Sequence, residues 1–364
     1  MNADAGPGGG NGQGDAAKTG PPRLAHLDRL MEELHAQTPK ALRDFDEDAI
    51  HRARVATRRL SAALNLVEPV VGNKRRKALA RVLRKLRRRL GPLRDADVML
   101  GHLQELGGGG AKHAAALEWL GGRIDERRAA LREASAKKAA ASEVLADLGA
   151  WHPVREQVAS SADAIDSLLV QSLHLQLDAF AEQAGRIAGQ DDDPAHHPHR
   201  HDPHELRIAG KALRYTLEMA AAQGHPLPGS VLKKFKRMQE LLGAWHDFVV
   251  LTDEAMRTSL DAVLSHRDPA AQDAVLELAR LTLRRSAQQL AQFSKLWTAK
   301  GGPLAETIRS TFPLTPAPAA PPAPAPPAPA AADVIGSQTG LDQPGSAGPE
   351  VPAVSPPGDP SPAS

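Results

Sequence analysis

One arrangement of a histidine and basic residues occurs twice in this 364-residue chain. Residues 51–60 have the pattern H-x-x-R-[V/I]-A-x-[R/K]-x-L, and residues 204–213 repeat it. In each copy the histidine and the two cations are at i, i+3 and i+7, a spacing that places them on one face of a helix. Such a face binds anions electrostatically, and two copies favour a polyanion with repeating charge.

A second short repeat follows each copy. Residues 90–95 read LGPLRD, and residues 242–247 read LGAWHD. Because the two repeats have offsets of 153 and 152 residues, whole helical units are duplicated together with the motif.

Positive charge is concentrated in the first half, although the formal net charge is only +2. Between His51 and Arg94 there are fifteen Lys/Arg and one acid, Glu68. Residues 77, 81, 84 and 88 form one basic stripe on a helix, with mutual repulsion that a bound polyanion would remove. Arginine also presents a fork suited to phosphate oxygens. At the repeat offset the second half has three corresponding cations, Lys233, Lys236 and Arg237.

Several function classes are excluded or disfavoured. The chain has no cysteine, so it has no thiol nucleophile and no cysteine zinc site. No secretion signal or transmembrane run is recognisable, and a cytoplasmic protein without membrane association is expected. We expect Asp95, Asp97 and Asp247 to cap helices or orient arginines, and the 196–201 histidines not to form a dedicated metal site. The sequence therefore predicts no enzyme activity, no catalytic residue, no bound metal and no cofactor.

The repeated motifs belong to a chain that is helical in pattern from about 23 to 312. A Gly-rich segment, 1–22, and a Pro/Ala-rich tail, 313–364, are expected to be disordered. The predicted helices cover about 23–37, 48–68, 74–90, 93–106, 111–148, 161–189, 204–222, 230–242, 245–265 and 270–299. No hairpin pattern competes with them. We therefore expect an all-α fold with two bundles, 23–152 and 160–312, related by a pseudo-twofold.

These motifs are similar to those of the conserved-histidine α-helical domain (CHAD) family. The resemblance rests on residues 51–60, 90–98, 204–215 and 241–247, and it spans about 23–312. It implies two four-helix bundles around a basic central groove or pore that binds inorganic polyphosphate, and a location at polyphosphate granules. Some members carry a triphosphatase domain, whose E-x-E-x-K signature is missing here, so a stand-alone binding module is expected.

The resemblance also implies which residues bind polyphosphate. Positions that match the family's basic motif are His51, Arg54, Arg58, His204, Arg207, Lys211 and Arg214. Positions that match its basic helices are Arg81, Arg84, Lys85, Arg88, Lys233, Lys236 and Arg237. The charge pattern adds Arg59, Lys77 and Arg94. Because His246 replaces the arginine expected from Arg94, we expect the first half to supply most of the binding energy.

Two other functions stay open. A basic helical protein could bind nucleic acid or associate with the chromosome, although only 3% of residues are aromatic and base stacking would be limited. A metal-dependent phosphohydrolase would need acids clustered in the basic groove, and only Asp95, Asp97 and Asp247 are candidates.

Overall fold

A computed structural model describes residues 22–107, 113–189, 202–260 and 268–314. Within these ranges the chain is helical and contains no strand, which confirms the all-α prediction. None of the helices in these ranges has the length and apolarity needed to cross a bilayer. The expected disorder of 1–22 and 313–364 concerns segments that lie almost wholly outside the described residues, as does the 196–201 histidine cluster.

The described ranges contain ten α-helices and one π-helical turn, Lys40–Asp44, which follows the first helix. The helices are α1 Pro22–Pro39, α2 Glu47–Leu66, α3 Asn73–Gly107, α4 Ala114–Ala136, α5 Ala141–Leu148, α6 Trp151–Ser160, α7 Ala162–Ile187, α8 Pro203–Ala222, α9 Gly229–Ser259 and α10 Pro269–Thr311.

The two motif helices, α2 and α8, begin in the same way. The Asp46 side chain accepts a hydrogen bond from the Ala49 N–H at 2.7 Å, and the Asp202 side chain accepts one from the His204 N–H at 2.8 Å. An aspartate at the N-cap satisfies a backbone donor that the helix leaves unpaired. Each cap therefore fixes the start of its helix and with it the direction in which the motif side chains point.

The Leu-Gly repeats do not end helices. We expected breaks after residues 90 and 242, but α3 continues through Gly91 and Pro92, and α9 continues through Gly243. Leu90 and Leu93 on either side of Gly91 are buried, as are Leu241 and Leu242 before Gly243. Burial of a leucine stabilises by about 1.5–3 kcal/mol, and several buried leucines offset the cost of a glycine or proline inside a helix.

A break occurs instead where one continuous helix was predicted, over 111–148. The chain leaves the helix between α4 and α5, and Arg89 of α3 donates to the backbone oxygens of Ser135 at 2.8 Å and Ala139 at 2.6 Å. The guanidinium thus binds carbonyls that a continuous helix would have paired internally. Trp151 begins the next helix, α6.

Two hydrophobic cores hold the helices together. The first includes Leu60 and Leu79 from the first half of the chain together with Leu213 and Phe235 from the second. The second core joins residues of α3, α4, α9 and α10, namely Ala96, Met99, Leu103, Ala116, Leu120, Ile124, Leu251, Ala255, Ala271, Val275, Leu278 and Ala279. Since α3, α9 and α10 contribute to both cores, these long helices carry side chains from one core to the other. The arrangement as two four-helix bundles with a pseudo-twofold stays a prediction.

Candidate functional site

The two motif helices are joined by one carboxylate. Arg59 of α2 donates to Glu218 of α8 through Nε at 2.7 Å and Nη2 at 3.0 Å. Arg214 of α8 donates to the same carboxylate through Nε at 2.9 Å. Two of the predicted ligands, Arg59 and Arg214, therefore share a partner that compensates part of their charge and holds α2 against α8.

Arg54 is buried, with 9% of its surface exposed. Its Nη1 donates to the backbone oxygen of Arg87 at 3.1 Å, and its Nη2 lies 3.7 Å from Asp95 Oδ1. These partners on α3 compensate for the loss of water around the guanidinium. Burial, followed by the charge of Arg58, nevertheless lowers the pKa of Arg54 to about 10.

Gly91 makes the approach of Arg54 possible. A Cβ at position 91 would lie 2.9 Å from Arg54 Nη1, closer than such atoms pack. The glycine of the first Leu-Gly repeat thus lies against Arg54, the first arginine of the H-x-x-R pattern. In the first half of the chain, the basic motif and the Leu-Gly repeat therefore form a single structural unit.

Arg58 lies where the two motif copies meet. After burial, its charge is the main cause that lowers the pKa of Arg87 on α3. Burial is also the largest cause of the lowered pKa of Arg207 and Lys211 on α8, and the charge of Arg58 contributes to both shifts. Cations of α2, α3 and α8 therefore lie close enough to repel one another, although the two copies are far apart in sequence.

Lys211 and Arg207 form the second-half side of this cluster. Burial, then Arg207 and Arg58, lower the pKa of Lys211 to about 7. Burial also lowers the pKa of Arg207, while Asp247 acts in the opposite direction. The Nε of Arg207 is buried and has no hydrogen-bond partner among the described residues. We call Arg54, Arg58, Arg207 and Lys211 the central cation cluster.

The family model of the CHAD domain matches residues 25–255, which include both motif copies and both Leu-Gly repeats. The chain belongs to the CHAD family. This family is associated with the binding of polyphosphate and triphosphate.

Two solved structures are similar to this chain. The crystal structure of the CHAD domain from the plant Ricinus communis is 26% identical, with 80% of this chain and 90% of that chain covered and a TM-score of 0.49. PptA from Streptomyces chartreusis is 17% identical, with 75% and 99% covered and a TM-score of 0.45. A comparison with curated proteins finds no match.

The three candidate acids of this CHAD protein are each near a basic side chain. Asp95 lies beside Arg54, as described above. Asp97 is buried and accepts a hydrogen bond from Arg128 Nε at 2.5 Å, while burial raises its pKa. Asp247 Oδ2 lies 3.6 Å from His102 Nε2, and this contact is the main cause of the raised pKa of His102. All three lie inside continuous helices, where they contact basic side chains and do not cap a helix. No metal-binding group of three such side chains occurs among the described residues.

The two halves of this CHAD protein differ at positions 94 and 246. Arg94 Nη1 forms an ion pair with Glu47 Oε1 at 2.9 Å. In the second half, burial and then Arg207 lower the pKa of His246 to about 4. His246 is therefore neutral at physiological pH, and the expected loss of charge at this position follows from its surroundings.

The basic stripe on α3 lies on the surface. Lys77, Arg81, Arg84 and Arg88 are all exposed. Burial and the charge of Arg58 are the largest causes of the lowered pKa of Arg87, and the charges of Arg84 and Arg88 come next. The stripe therefore reaches the central cation cluster through Arg87. Sequence reasoning missed Arg87, for which the only signal is its position one turn before Gly91.

The remaining predicted ligands lie at the edges of this region. Lys85 is exposed and lines, together with Arg88, a separate cavity of about 330 Å³ beside α5. Lys233, Lys236 and Arg237 are exposed on α9, where Lys236 and Arg237 lie 3.9 and 3.6 Å from Glu240. His51 and His204 are exposed near the starts of their helices. Partial burial of the ring, and then the charge of Arg94, lowers the pKa of His51.

Proposed function

We propose that this protein binds inorganic polyphosphate without transforming it, and that the two motif copies form one site. The observation that carries the proposal is the central cation cluster, in which cations from both halves of the chain meet. Their proximity costs free energy in the unliganded protein, because burial and mutual repulsion both oppose their charge. A polyanion in contact with all of them would reverse that cost.

The chemistry of the cluster favours phosphate. Three of its four members are arginines, whose planar guanidinium forms two parallel hydrogen bonds with phosphate oxygens. The buried Nε of Arg207 has no partner within the part of the chain that the structure describes, and a phosphate oxygen would provide one.

The surface around the cluster favours a long chain of phosphates. The stripe from Arg88 to Lys77 continues away from the cluster along α3, with about 5.4 Å between helical turns. A polymer that begins at the cluster could follow this stripe, whereas a single phosphate could not. The proposed groove lies between the two bundles of a pseudo-twofold arrangement, and the proposed location is the polyphosphate granule in the cytoplasm.

Binding without hydrolysis is part of the proposal. Hydrolysis of a phosphoanhydride with a metal ion would require carboxylates free to hold that ion. Asp95, Asp97 and Asp247 instead lie beside Arg54, Arg128 and His102. Incubation of polyphosphate with the protein and Mg²⁺ or Mn²⁺ should release no phosphate, and steady release would contradict this part.

The competing function is nucleic-acid binding. The decisive experiment titrates fluorescently labelled long-chain polyphosphate and adds duplex DNA as a competitor at equal phosphate concentration. We expect polyphosphate to be retained, with an affinity that falls linearly on a log–log plot against salt. Displacement of polyphosphate by an equal concentration of DNA phosphate would reverse the assignment.

A further inference from the structure

Trp245 does not belong to either hydrophobic core. It lies on α9 directly before His246 and is only partly buried. Nor does it belong to the partly buried residues that pack against the cores. Within the described part of the chain its indole N–H makes no hydrogen bond. Tryptophan is enriched at binding interfaces, where its ring is buried against an apolar partner and its N–H finds an acceptor.

Trp245 is one end of a row of three rings. Its ring centroid lies 6.1 Å from that of His246, and the His246 centroid lies 5.3 Å from that of His204 on α8. The rings are tilted by 43° and 44°, so they do not cover one another's faces completely. His246 is neutral in this environment and therefore adds a flat aromatic surface and no positive charge.

The row is adjacent to the central cation cluster. Burial is the largest cause of the lowered pKa of His246, and the charges of Arg207 and Lys211 also lower it, so both cations lie near this ring. Ile208, one turn after His204, is 53% exposed and extends the apolar character of this side of α8. A row of tilted aromatic rings and two cations are thus side by side.

The first half of the chain has no such surface at the equivalent positions. There Leu93 is fully buried, and Arg94 is paired with Glu47. The change from Leu-Arg to Trp-His therefore replaces a core residue and an ion pair with two partly accessible rings. Binding of inorganic polyphosphate requires no ring, so the exchange calls for a ligand of another composition.

We infer that this aromatic row binds the base of a nucleoside polyphosphate whose phosphates lie on Arg207 and Lys211. The inference rests on the proposed phosphate-binding role of these two cations and adds a second class of ligand to the same site. A free nucleotide fits better than a nucleic-acid strand, because the three neighbouring rings can take one base and the cations beyond them suit consecutive phosphates. Stacking of one base on aromatic side chains strengthens binding by about 5- to 150-fold.

The test compares ATP with inorganic tripolyphosphate, both without Mg²⁺, by calorimetric titration of the full chain. The two ligands have the same number of phosphates, and ATP carries the smaller charge. If charge alone decides, tripolyphosphate binds at least as tightly. If the row binds the base, ATP binds at least about fivefold more tightly.

Two variants distinguish a role of the Trp245 ring in ligand binding from a role in folding. Trp245→Leu introduces the residue found at position 93, and it should abolish the preference for ATP while the affinity for tripolyphosphate stays unchanged. Trp245→Phe retains a ring and should retain most of the preference. The native comparison decides the matter even if Trp245→Leu does not fold.

Equal or weaker binding of ATP by the native protein would overturn the inference. So would an equal loss of both ligands in a folded Trp245→Leu variant. Failure of both ligands to bind the native protein would instead contradict the proposed function itself, so the two failures are distinguishable.

Discussion

Arg54 and Gly91 are in contact across α2 and α3, and the guanidinium of Arg54 occupies the space that a side chain at position 91 would need. The equivalent glycine of the second half, Gly243, has no atom within 4 Å of a Cβ built on it. The two Leu-Gly repeats are therefore alike in sequence and different in packing. The first one fixes a buried arginine, and the second one leaves open space beside α9.

This difference predicts opposite effects of the same substitution. Gly91→Ala should displace the Arg54 guanidinium, with loss of its bond to Arg87 that costs about 1.5–3 kcal/mol and outweighs the gain of about 0.5–1 kcal/mol from alanine in a helix. Gly243→Ala should stabilise by about 0.5–1 kcal/mol because nothing has to move. Urea unfolding measures both, and equal free-energy changes for the two variants would show that Arg54 does not depend on Gly91.

The pKa of Lys211 predicts that polyphosphate affinity increases as the pH falls through about 7. Below that pH the ammonium is charged in the free protein, whereas above it binding must also take up a proton. Lys211→Arg keeps the cation at every pH and should remove most of this dependence. Long-chain polyphosphate, in which few phosphates are terminal, is the suitable ligand. An unchanged pH profile in Lys211→Arg would assign the titration to another group.

The lowered pKa of Lys211 predicts the opposite pH dependence for the free energy of unfolding. The pKa of Lys211 is lowered in the folded protein from 10.5 to about 7, so the unfolded chain binds more protons between these values. The free energy of unfolding should therefore rise with pH over that range in the absence of ligand. Comparison of the native protein with Lys211→Met by urea unfolding at pH 7 and pH 10 isolates the contribution. The prediction fails if the two proteins change in parallel.

Glu218 should contribute to stability more than to ligand binding. It accepts hydrogen bonds from Arg59 and Arg214, and the pairs are half-buried. Glu218→Gln should lower the free energy of unfolding by about 1–2 kcal/mol because a charged partner is lost. Glu240→Gln, at the exposed contacts with Lys236 and Arg237, should change it by less than about 0.5 kcal/mol. Equal effects of the two substitutions would contradict the bridging role of Glu218.

The basic stripe of α3 should contribute more to binding than its counterpart on α9. Arg84 is near Arg87 and the central cation cluster, whereas Lys236 lies near Glu240. Arg84→Glu should therefore weaken polyphosphate binding more than Lys236→Glu does, and it should reduce the slope of log affinity against log salt by about 0.7 or more. Fluorescence titration at several salt concentrations checks this. A larger loss in Lys236→Glu would reverse the expected asymmetry between the halves.

The sequence was sufficient for the helical fold and for the motif helices. The predicted spans 48–68 and 204–222 differ from α2 and α8 by at most two residues at each end, because an aspartate caps each helix and an apolar stripe continues through it. The exposure of Lys77, Arg81, Arg84 and Arg88 also follows from periodicity alone, since Leu79, Leu83 and Leu86 occupy the opposite face.

What the sequence could not give depends on contacts between distant segments. Local rules place a helix end at Gly91-Pro92, but burial of Leu90 and Leu93 outweighs them. Arginine is rarely buried, so nothing in α2 alone indicates that Arg54 finds a carbonyl of α3. The pairing of Arg59 with Glu218 joins residues 159 positions apart, and no local pattern reports such a contact.

The central claim is that the two motif copies form one polyphosphate site, and the stoichiometry of tripolyphosphate binding tests it most directly. Calorimetry of the native protein should show a single binding event with one tripolyphosphate per chain. Arg58→Ala in the first copy and Lys211→Ala in the second should each weaken that same event, with the stoichiometry unchanged. Two equivalent sites per chain, or full retention of the native affinity after either substitution, would contradict a joint site.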